Sequence, residues 1–200
     1  MTENAGFTRI AVFASGAGSN TRHIIDYFRG HPAIGVALVV SNKPEAGVVR
    51  IAESENIPVL LIEKERFFNR DAYLEELHSR GIGFIVLAGF LWKAPPLLVS
   101  AYPGKIINIH PALLPKYGGK GMYGIHVHEA VIAAKEKETG ISIHYVDDRY
   151  DHGALIFQAG CEVLETDTPE TLAQKIHLLE QTHFPKWIEQ TIVSQNIVKT

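Results

Sequence analysis

The sequence is poor in the features that mark secreted, membrane-spanning and nucleic-acid-binding chains. Cys161 is the single cysteine among 200 residues, which excludes an internal disulfide and a zinc site built from several cysteines. The longest apolar run, residues 81–92, is far shorter than the roughly 20 residues that a bilayer-spanning helix needs. The N-terminus lacks a basic start followed by an apolar stretch, so it does not resemble a secretory signal.

The charge balance excludes a further class of partner. A net charge of −3 and a pI of about 6.4 provide no basic excess for nucleic acid or for an anionic membrane surface. Proteins of reducing compartments do not depend on disulfides, and a chain with a single cysteine fits such a compartment. We therefore expect a cytoplasmic protein. Its partners are expected to be small molecules, with no nucleic acid and no membrane.

The first half of the sequence alternates short apolar runs with segments of helical periodicity. Continuous apolar strands separated by helices are typical of a parallel sheet that is covered on both faces. The predicted strands are residues 9–15, 35–42, 57–63, 83–89 and 105–110, and the predicted helices are residues 20–30, 46–56 and 69–81.

The second half has a different pattern. A helix is predicted over residues 126–136, and two strands, 139–147 and 154–163, are close enough in the chain to pair antiparallel. Thr168 is predicted to cap a long helix with Pro169 at its first position, and Pro185 is predicted to interrupt that helix. The expected fold is one α/β domain over residues 1–200, a Rossmann-like, mostly parallel sheet with helices on both faces and an antiparallel C-terminal part.

A glycine-containing loop, "FASGAGSNTRH" at residues 13–23, joins the first strand to the first helix. Gly16 and Gly18 permit a tight turn and close backbone approach, and the helix start offers N–H groups to an anion. A dinucleotide site would also need an acid at the end of the second strand, where this chain has "SNK". The loop therefore favours a monophosphate over NAD, although a purely structural turn explains it too.

A polar group is predicted at the carboxyl edge of the sheet. Asn108 and His110 lie two residues apart on a strand and so face the same side. The acidic segment 146–154 could bring a carboxylate to His110, orient the ring and raise its pKa. The amide and a protonated imidazole could then hold an oxyanion during acyl transfer by direct attack of the acceptor. A structural, hydrogen-bonded histidine is the alternative.

The ten histidines do not form a metal-binding pattern. His126 and His128 would point about 200° apart on a helix, and no H-E-x-x-H sequence is present. No metal is expected.

The motifs together resemble those of the glycinamide ribonucleotide formyltransferases. They are "GAGSN" (16–20), "LAGF" (87–90), "NIHPALLP" (108–115) and "TGISIHYVDDRYDHGALI" (139–156), in that family's order and over nearly the whole chain. The resemblance implies the formyltransferase fold and transfer of a formyl group from 10-formyltetrahydrofolate, as co-substrate, to the amine of glycinamide ribonucleotide in purine biosynthesis. It also implies a monomer or weak homodimer.

The resemblance also implies roles for individual residues. Asn108, His110 and Asp151 correspond to a catalytic triad, with His144 close by, and Asp151 assists proton transfer. The ribonucleotide would be held by Gly18, Ser19, Asn20, Gly89, Pro111, His177 and Glu180. The reduced folate would lie against Phe90, Leu91, Trp92, Val146, Asp147, Asp148, Arg149 and Tyr150. Residues 1–104 would form the nucleotide-phosphate half, and residues 105–200 the folate-binding and catalytic half.

Three positions depart from the family pattern, and three other functions are alternatives. Trp92 stands where arginine is frequent, His177 where glutamine or lysine is frequent, and the loop 118–124 is longer than in many relatives. A formyltetrahydrofolate deformylase would share the motifs but have an additional N-terminal domain. A non-catalytic phosphometabolite-binding protein would leave Asn108, His110 and Asp151 unused. An NAD-linked oxidoreductase would need an acidic residue at the end of the second strand, which this sequence lacks.

Overall fold

The computed structural model describes residues 6–69 and 72–197, which form one seven-stranded mixed sheet. The strand order is β3-β2-β1-β4-β5-β6-β7. The pairs among β1 to β5 are parallel, while β6 pairs antiparallel with β5 and β7 antiparallel with β6. The strands are β1 (Thr8–Phe13), β2 (Ile34–Ser41), β3 (Val59–Leu61), β4 (Ile82–Leu87), β5 (Ile106–His110), β6 (Glu138–Tyr145) and β7 (Leu155–Glu162).

Helices cover both faces of this sheet, as predicted. They are α1 (Ser19–Phe28), α2 (Gly47–Ser54), α3 (Lys64–Asn69), α4 (Ala72–Ser79), α5 (Pro96–Ala101), α6 (Ile125–Ala133) and α7 (Pro169–Ile197). No helix in the described ranges is long and apolar enough to cross a membrane.

The two faces of β1 contact two separate hydrophobic clusters. Ile10 and Val12 pack in a cluster with residues of α1 and α7, whereas Ala11 and Phe13 pack in a cluster with residues of α3, α4 and α5. Alternation along a strand sends successive side chains to opposite faces. The side chains from residue 10 to residue 13 are all apolar and buried. β1 therefore lies in the middle of the molecule, and its burial on both faces explains the continuous apolar run in the sequence.

The structure differs from the sequence-based expectation in four elements. The short helices α3 and α5 were not predicted, and the helix expected at residues 69–81 begins at Ala72, with residues 70–71 outside the described ranges. The prediction that Pro185 interrupts the last helix is wrong, because α7 is continuous through it. Proline removes a hydrogen bond from a helix, but Phe184, Ile188 and Ile192 are all buried in the core, and this packing keeps the helix intact.

The topology brings the predicted polar segments to one place. The strand order reverses beside β1, and in open α/β sheets ligands bind at such a point, outside the carboxyl ends of the strands. The glycine loop follows β1, Gly89 follows β4, and Asn108 and His110 end β5. Antiparallel pairing then sets His144 of β6 opposite Asn108.

Candidate active site

A cavity of about 750 Å³ opens at this edge of the sheet. It is lined by all but one of the residues that sequence analysis assigned to a site. Asp148 is the exception, because it lies on the exposed part of the loop outside the lining. The lining residues from that prediction are Gly18, Ser19, Asn20, Gly89, Phe90, Leu91, Trp92, Asn108, His110, Pro111, His144, Val146, Asp147, Arg149, Tyr150, Asp151, His177 and Glu180.

Asn108 is oriented by the histidine on the neighbouring strand. The Nδ1 atom of His144 lies 2.8 Å from the carbonyl oxygen of Tyr145. Because a carbonyl only accepts, this nitrogen carries the proton, and Nε2 of the neutral ring is an acceptor. The amide Nδ2 of Asn108 lies 3.1 Å from that Nε2 and donates to it, which leaves its second N–H for another partner.

His110 is fixed in the same way by a backbone carbonyl. Its Nε2–H donates to the carbonyl oxygen of Tyr117 at 2.7 Å, so Nδ1 faces the carboxylate of Asp151, whose Oδ2 lies 3.7 Å away. The predicted carboxylate therefore does reach His110. Asp151 acts to raise the pKa of His110, as predicted, but burial of the ring lowers it by more, so the pKa of His110 lies below its ordinary value.

Asp151 sits between the two histidines in a strained backbone conformation. Its φ of 53° is in the left-handed region, which residues other than glycine adopt rarely and which recurs at active sites. Its Oδ2 accepts a hydrogen bond from the Gly119 N–H at 2.9 Å, and its Oδ1 lies 3.6 Å from Nε2 of His144. Burial alone would raise the pKa of Asp151, but His144 and His110 in their protonated forms, together with the Gly119 N–H, hold it below its usual value.

The glycine loop presents an uncapped helix start to the cavity. Gly18 precedes α1 with φ 82°, and no side chain caps the helix. A Cβ on Gly18 would lie 2.8 Å from the Cα of Val48, so only glycine fits. The first N–H groups of a helix have no partner within it. The N–H groups of Ser19 and Asn20 belong to the first turn of α1, at the cavity wall. This arrangement suits an anion.

The last helix contributes a buried carboxylate next to this loop. Glu180 is 5% exposed, and its Oε2 accepts hydrogen bonds from Asn20 Nδ2 at 2.9 Å and His177 Nδ1 at 3.0 Å. The hydrogen bond to Glu180 raises the pKa of His177, since it outweighs the partial burial of the ring. The contact ties α1 to α7 across 160 positions of sequence.

The opposite end of the cavity is apolar and aromatic. Phe90 makes edge contacts with Phe13 and Trp92, and Trp92 also packs against Phe67. The backbone N–H of Leu91 donates to Oγ of Ser15 at 3.0 Å, which holds the segment after β4 against the end of β1. Such a surface can accept a flat, partly apolar ring system.

Sequence analysis missed several residues that shape the site. Ser142 is fully buried and its Oγ donates to the carbonyl oxygen of Ala112 at 2.6 Å. Oγ of Ser142 also accepts hydrogen bonds from Leu114 N and Gln158 Nε2, which fixes the loop after His110. A serine between apolar residues of a buried strand could have indicated this role. Ser15 and His128 also line the cavity without having been predicted.

The fold is that of the α/β formyltransferases, and the chain belongs to the formyl transferase family, which it matches over residues 8–188. Several relatives are named phosphoribosylglycinamide formyltransferase. The Bacillus subtilis (strain 168) protein is 38% identical over 193 residues, which cover 94% of this chain and 96% of that protein. The family resemblance stated from the motifs is thereby confirmed.

Two further relatives extend the comparison. The Arabidopsis thaliana chloroplastic phosphoribosylglycinamide formyltransferase is 41% identical over 174 residues, which are 84% of this chain but 60% of that protein. This chain therefore spans less than two thirds of the plant relative. The crystal structure of the Bacillus halodurans enzyme of the same name has 36% identity and a TM-score of 0.82, covering 92% of this chain and 94% of that one, which confirms the predicted fold class.

Proposed function

We propose that the protein transfers the formyl group of 10-formyltetrahydrofolate to the amine of glycinamide ribonucleotide, a reaction of purine biosynthesis. The observation that carries the proposal is that Asn108, His110 and Asp151 meet in one cavity, between an uncapped helix start and an aromatic wall. The names of the relatives support the choice of substrates.

The ribonucleotide would lie along the α1 and α7 side of the cavity. Its phosphate would accept hydrogen bonds from the first N–H groups of α1, where the helix dipole also favours an anion. Both protein donors to Glu180 use Oε2, so Oε1 remains as an acceptor for ribose hydroxyls. Gly89 and Pro111 line the cavity towards Asn108 and His110, and the glycinamide amine would lie there.

The folate would occupy the other end. Its pterin would lie between the segment of Phe90, Leu91 and Trp92 and the loop of Val146, Asp147, Arg149 and Tyr150, all of which line the cavity. Trp92 packs on Phe67 rather than presenting a cation. The glutamate tail of the folate would therefore be held by residues other than Trp92.

The reaction begins with attack of the amine nitrogen on the formyl carbon. A C–N bond to the acceptor forms, the carbonyl electrons move to oxygen, and the bond from carbon to N10 of the folate then breaks. The second N–H of Asn108 Nδ2 would donate to the developing oxyanion, since the first is held by His144. Negative charge beside His110 favours its imidazolium, whose Nδ1–H would be a second donor.

Proton transfer completes the reaction. The attacking nitrogen must lose a proton, and N10 of the departing tetrahydrofolate must gain one. Asp151 would pass this proton through a water molecule, because its pKa is held low and its carboxylate is therefore ionised and able to accept. The products are formylglycinamide ribonucleotide and tetrahydrofolate, so no oxidant and no metal is needed for the balance.

The test is an absorbance assay of formyl loss from 10-formyltetrahydrofolate or its 5,8-dideaza analogue, with and without glycinamide ribonucleotide. We expect turnover that depends strictly on the ribonucleotide. Turnover without the acceptor would indicate the deformylase reaction. Ribonucleotide binding without turnover would indicate a non-catalytic binding protein.

The expectations about assembly and location remain part of the proposal. We propose a cytoplasmic monomer or weak homodimer that binds neither nucleic acid nor membrane. The single cysteine and the net charge of −3 support this. Sedimentation equilibrium at micromolar concentrations would measure the oligomeric state.

A further inference from the structure

Tyr117 supplies the carbonyl that holds His110, and its backbone is in a conformation that a tyrosine rarely adopts. Its φ is 55°, in the left-handed region, where a Cβ atom is crowded and glycine is usual. Such a conformation persists only where surrounding contacts enforce it. The contacts of Tyr117 with the rest of the protein therefore show how the carbonyl is kept in place.

Two sets of contacts hold the Tyr117 side chain on the far side of this segment from the cavity. Its ring packs against a small hydrophobic cluster of Val131, Val163 and Leu172. Its hydroxyl donates a hydrogen bond to Oε1 of Glu136 at 2.9 Å, and Glu136 lies between α6 and β6. Ring packing and one hydroxyl therefore fix where the backbone of Tyr117 lies.

Glu136 is an ionised acceptor for this hydroxyl. Nζ of Lys116 lies 2.9 Å from its Oε1 and 3.2 Å from its Oε2. The hydrogen bonds from Lys116 and Tyr117 hold the pKa of Glu136 below its ordinary value, and a charged acceptor makes a stronger hydrogen bond. The Lys116 side chain is 66% exposed, so its ion pair is expected to contribute little. The hydroxyl of Tyr117 is the contact that joins Glu136 to the site.

The residues that follow Tyr117 hold the second member of the catalytic pair. The Gly119 N–H donates to Oδ2 of Asp151 at 2.9 Å. A Cβ on Gly118 would lie 3.3 Å from the Cβ of Asp151, so the segment runs close against that residue. The Tyr117 carbonyl accepts from Nε2 of His110 at 2.7 Å. One short segment therefore contacts both His110 and Asp151.

We propose that Tyr117 and Glu136 are positioning residues for formyl transfer, in which Glu136 anchors the Tyr117 hydroxyl and the anchored segment holds His110 against Asp151. Neither side chain lines the cavity, so neither is a catalytic residue. This rests on the proposed function, since it assumes that His110 and Asp151 act in formyl transfer. A misplacement of reacting groups by about 1 Å can lower a rate by up to about 100-fold.

The ionisation of His110 reports the position of this segment without any turnover. Burial lowers the pKa of His110, Asp151 and the Tyr117 carbonyl act to raise it, His144 acts to lower it and Glu180 to raise it. If the carbonyl moves away, one contribution that favours the imidazolium is lost. The pKa of His110 should then fall further below its ordinary value.

The experiment compares three substitutions with a matched control. Tyr117→Phe removes only the hydroxyl, Glu136→Ala removes its acceptor, and Glu136→Gln keeps an uncharged acceptor oxygen. Lys116→Met is the control, because it removes the ion pair with Glu136 and leaves the hydroxyl bond. For each full-length protein we measure kcat and KM for formyl transfer, thermal unfolding, and the pKa of His110 by NMR of ¹⁵N-labelled histidine. The spectrum of His110→Ala identifies the His110 signals.

For Tyr117→Phe and Glu136→Ala we expect kcat to fall about 10-fold while both KM values change by less than about twofold, because misplaced catalytic groups act on the transition state. The pKa of His110 should fall in both variants. Glu136→Gln should recover part of kcat, and Lys116→Met should match the wild type. The double variant of Tyr117→Phe and Glu136→Ala should be no worse than the worse single one, since both remove the same hydrogen bond.

Three results would overturn the inference. One is wild-type kcat with an unchanged pKa of His110 in a folded Tyr117→Phe variant. Another is an equal loss of kcat in Lys116→Met, which would assign the effect to surface charge. The third is a lower melting temperature with kcat and the pKa of His110 unchanged, which would make the contact purely structural.

Failure of the proposed function would be a separate result. If the wild type transfers no formyl group to glycinamide ribonucleotide, the proposed function fails. The histidine spectra of the folded variants need no turnover, so they test in the same way whether Tyr117 and Glu136 position His110.

Discussion

At the scale of single residues, two backbone carbonyls determine the chemistry of the site. The carbonyl oxygens of Tyr117 and Tyr145 each accept from one nitrogen of a histidine, His110 and His144 respectively. This fixes the orientation of each ring, so that Nδ1 of His110 faces Asp151 and Nε2 of His144 faces Asn108. For the proposed reaction, the Asn108 amide held by His144 would be a preorganised donor, and such donors lower a barrier because they need little reorganisation.

We predict that His110→Ala and Asp151→Asn each lower kcat by about 100-fold or more, the size expected when one transition-state contact is lost. Neither change should lower the melting temperature strongly, since both side chains face the cavity. Steady-state kinetics and calorimetry provide the measurement. Retention of more than a tenth of the wild-type kcat would refute the role assigned to that residue.

The double variant of these two residues tests whether they act as one unit. Groups that act together give strongly non-additive losses. We therefore expect its kcat to be close to that of the worse single variant. Losses that multiply would mean that His110 and Asp151 act in independent steps.

His177 should make ribonucleotide affinity depend on pH. Its pKa is raised by Glu180, so the cation persists above the ordinary histidine value of about 6.5. Affinity for the dianionic phosphate should be highest where His177 is charged, and it should weaken as pH rises through the raised pKa. His177→Gln should flatten this dependence, and His177→Lys should maintain affinity to higher pH.

The test is to measure the dissociation constant of glycinamide ribonucleotide from pH 6 to 9 for the wild type, His177→Gln and His177→Lys. Parallel curves would remove His177 from the phosphate contact. Because its side chain is 53% exposed, the titration should hardly affect folding stability, so thermal unfolding across the same range serves as the control.

At the scale of elements, the two glycines of the loop between β1 and α1 have different roles. Gly18 is required by the fold, since its φ is 82° and a Cβ would approach the backbone of α2 at Val48. Gly16 has nothing within 4 Å of the place where its Cβ would be, and it lines the cavity. A side chain at Gly16 would therefore occupy space that the ligand needs without disturbing the fold.

Gly16→Val is consequently a better probe of the phosphate site than a change at Gly18. We expect it to weaken ribonucleotide binding at least 10-fold while folate affinity and the melting temperature change little. Gly18→Val should lower the melting temperature and so impair both ligands. If Gly16→Val bound the ribonucleotide as the wild type does, the phosphate would have to lie elsewhere.

At the scale of the whole molecule, the two halves expected at residues 1–104 and 105–200 share one sheet and one core. β4 and β5 pair across that boundary, and Ile10 of β1 packs in the same cluster as Ile141, Ile176 and Phe184. Neither half would bury its apolar surface alone. The two halves are therefore not separately folded units, and the division into them remains a proposal about ligand contacts.

We predict a single cooperative unfolding transition. Circular dichroism at far-UV and near-UV wavelengths should give coincident denaturation curves, as a two-state domain requires. A fragment of residues 1–104 should not fold by itself, because β4 would lose its neighbour β5 and α1 would lose α7. A separate transition for either half, or a folded fragment, would contradict this.

The sequence by itself determined most elements of this protein, because helical and strand periodicity are local properties. Apolar runs gave the positions of the seven strands to within about two residues at most ends, close to the accuracy of helix and strand boundaries themselves. The motif around Asn108 and His110 also placed these two side chains on one strand face. Short elements such as α3 and α5 lack enough turns for a clear period and were missed.

Only the tertiary structure decided how the site is tuned. The carbonyl that fixes His110, the N–H that holds Asp151 and the burial that lowers the pKa of His110 come from segments that meet only after folding. The continuity of α7 through Pro185 has the same origin. Hydrogen bonding, packing and desolvation depend on neighbours that are distant in sequence, and no local pattern encodes them.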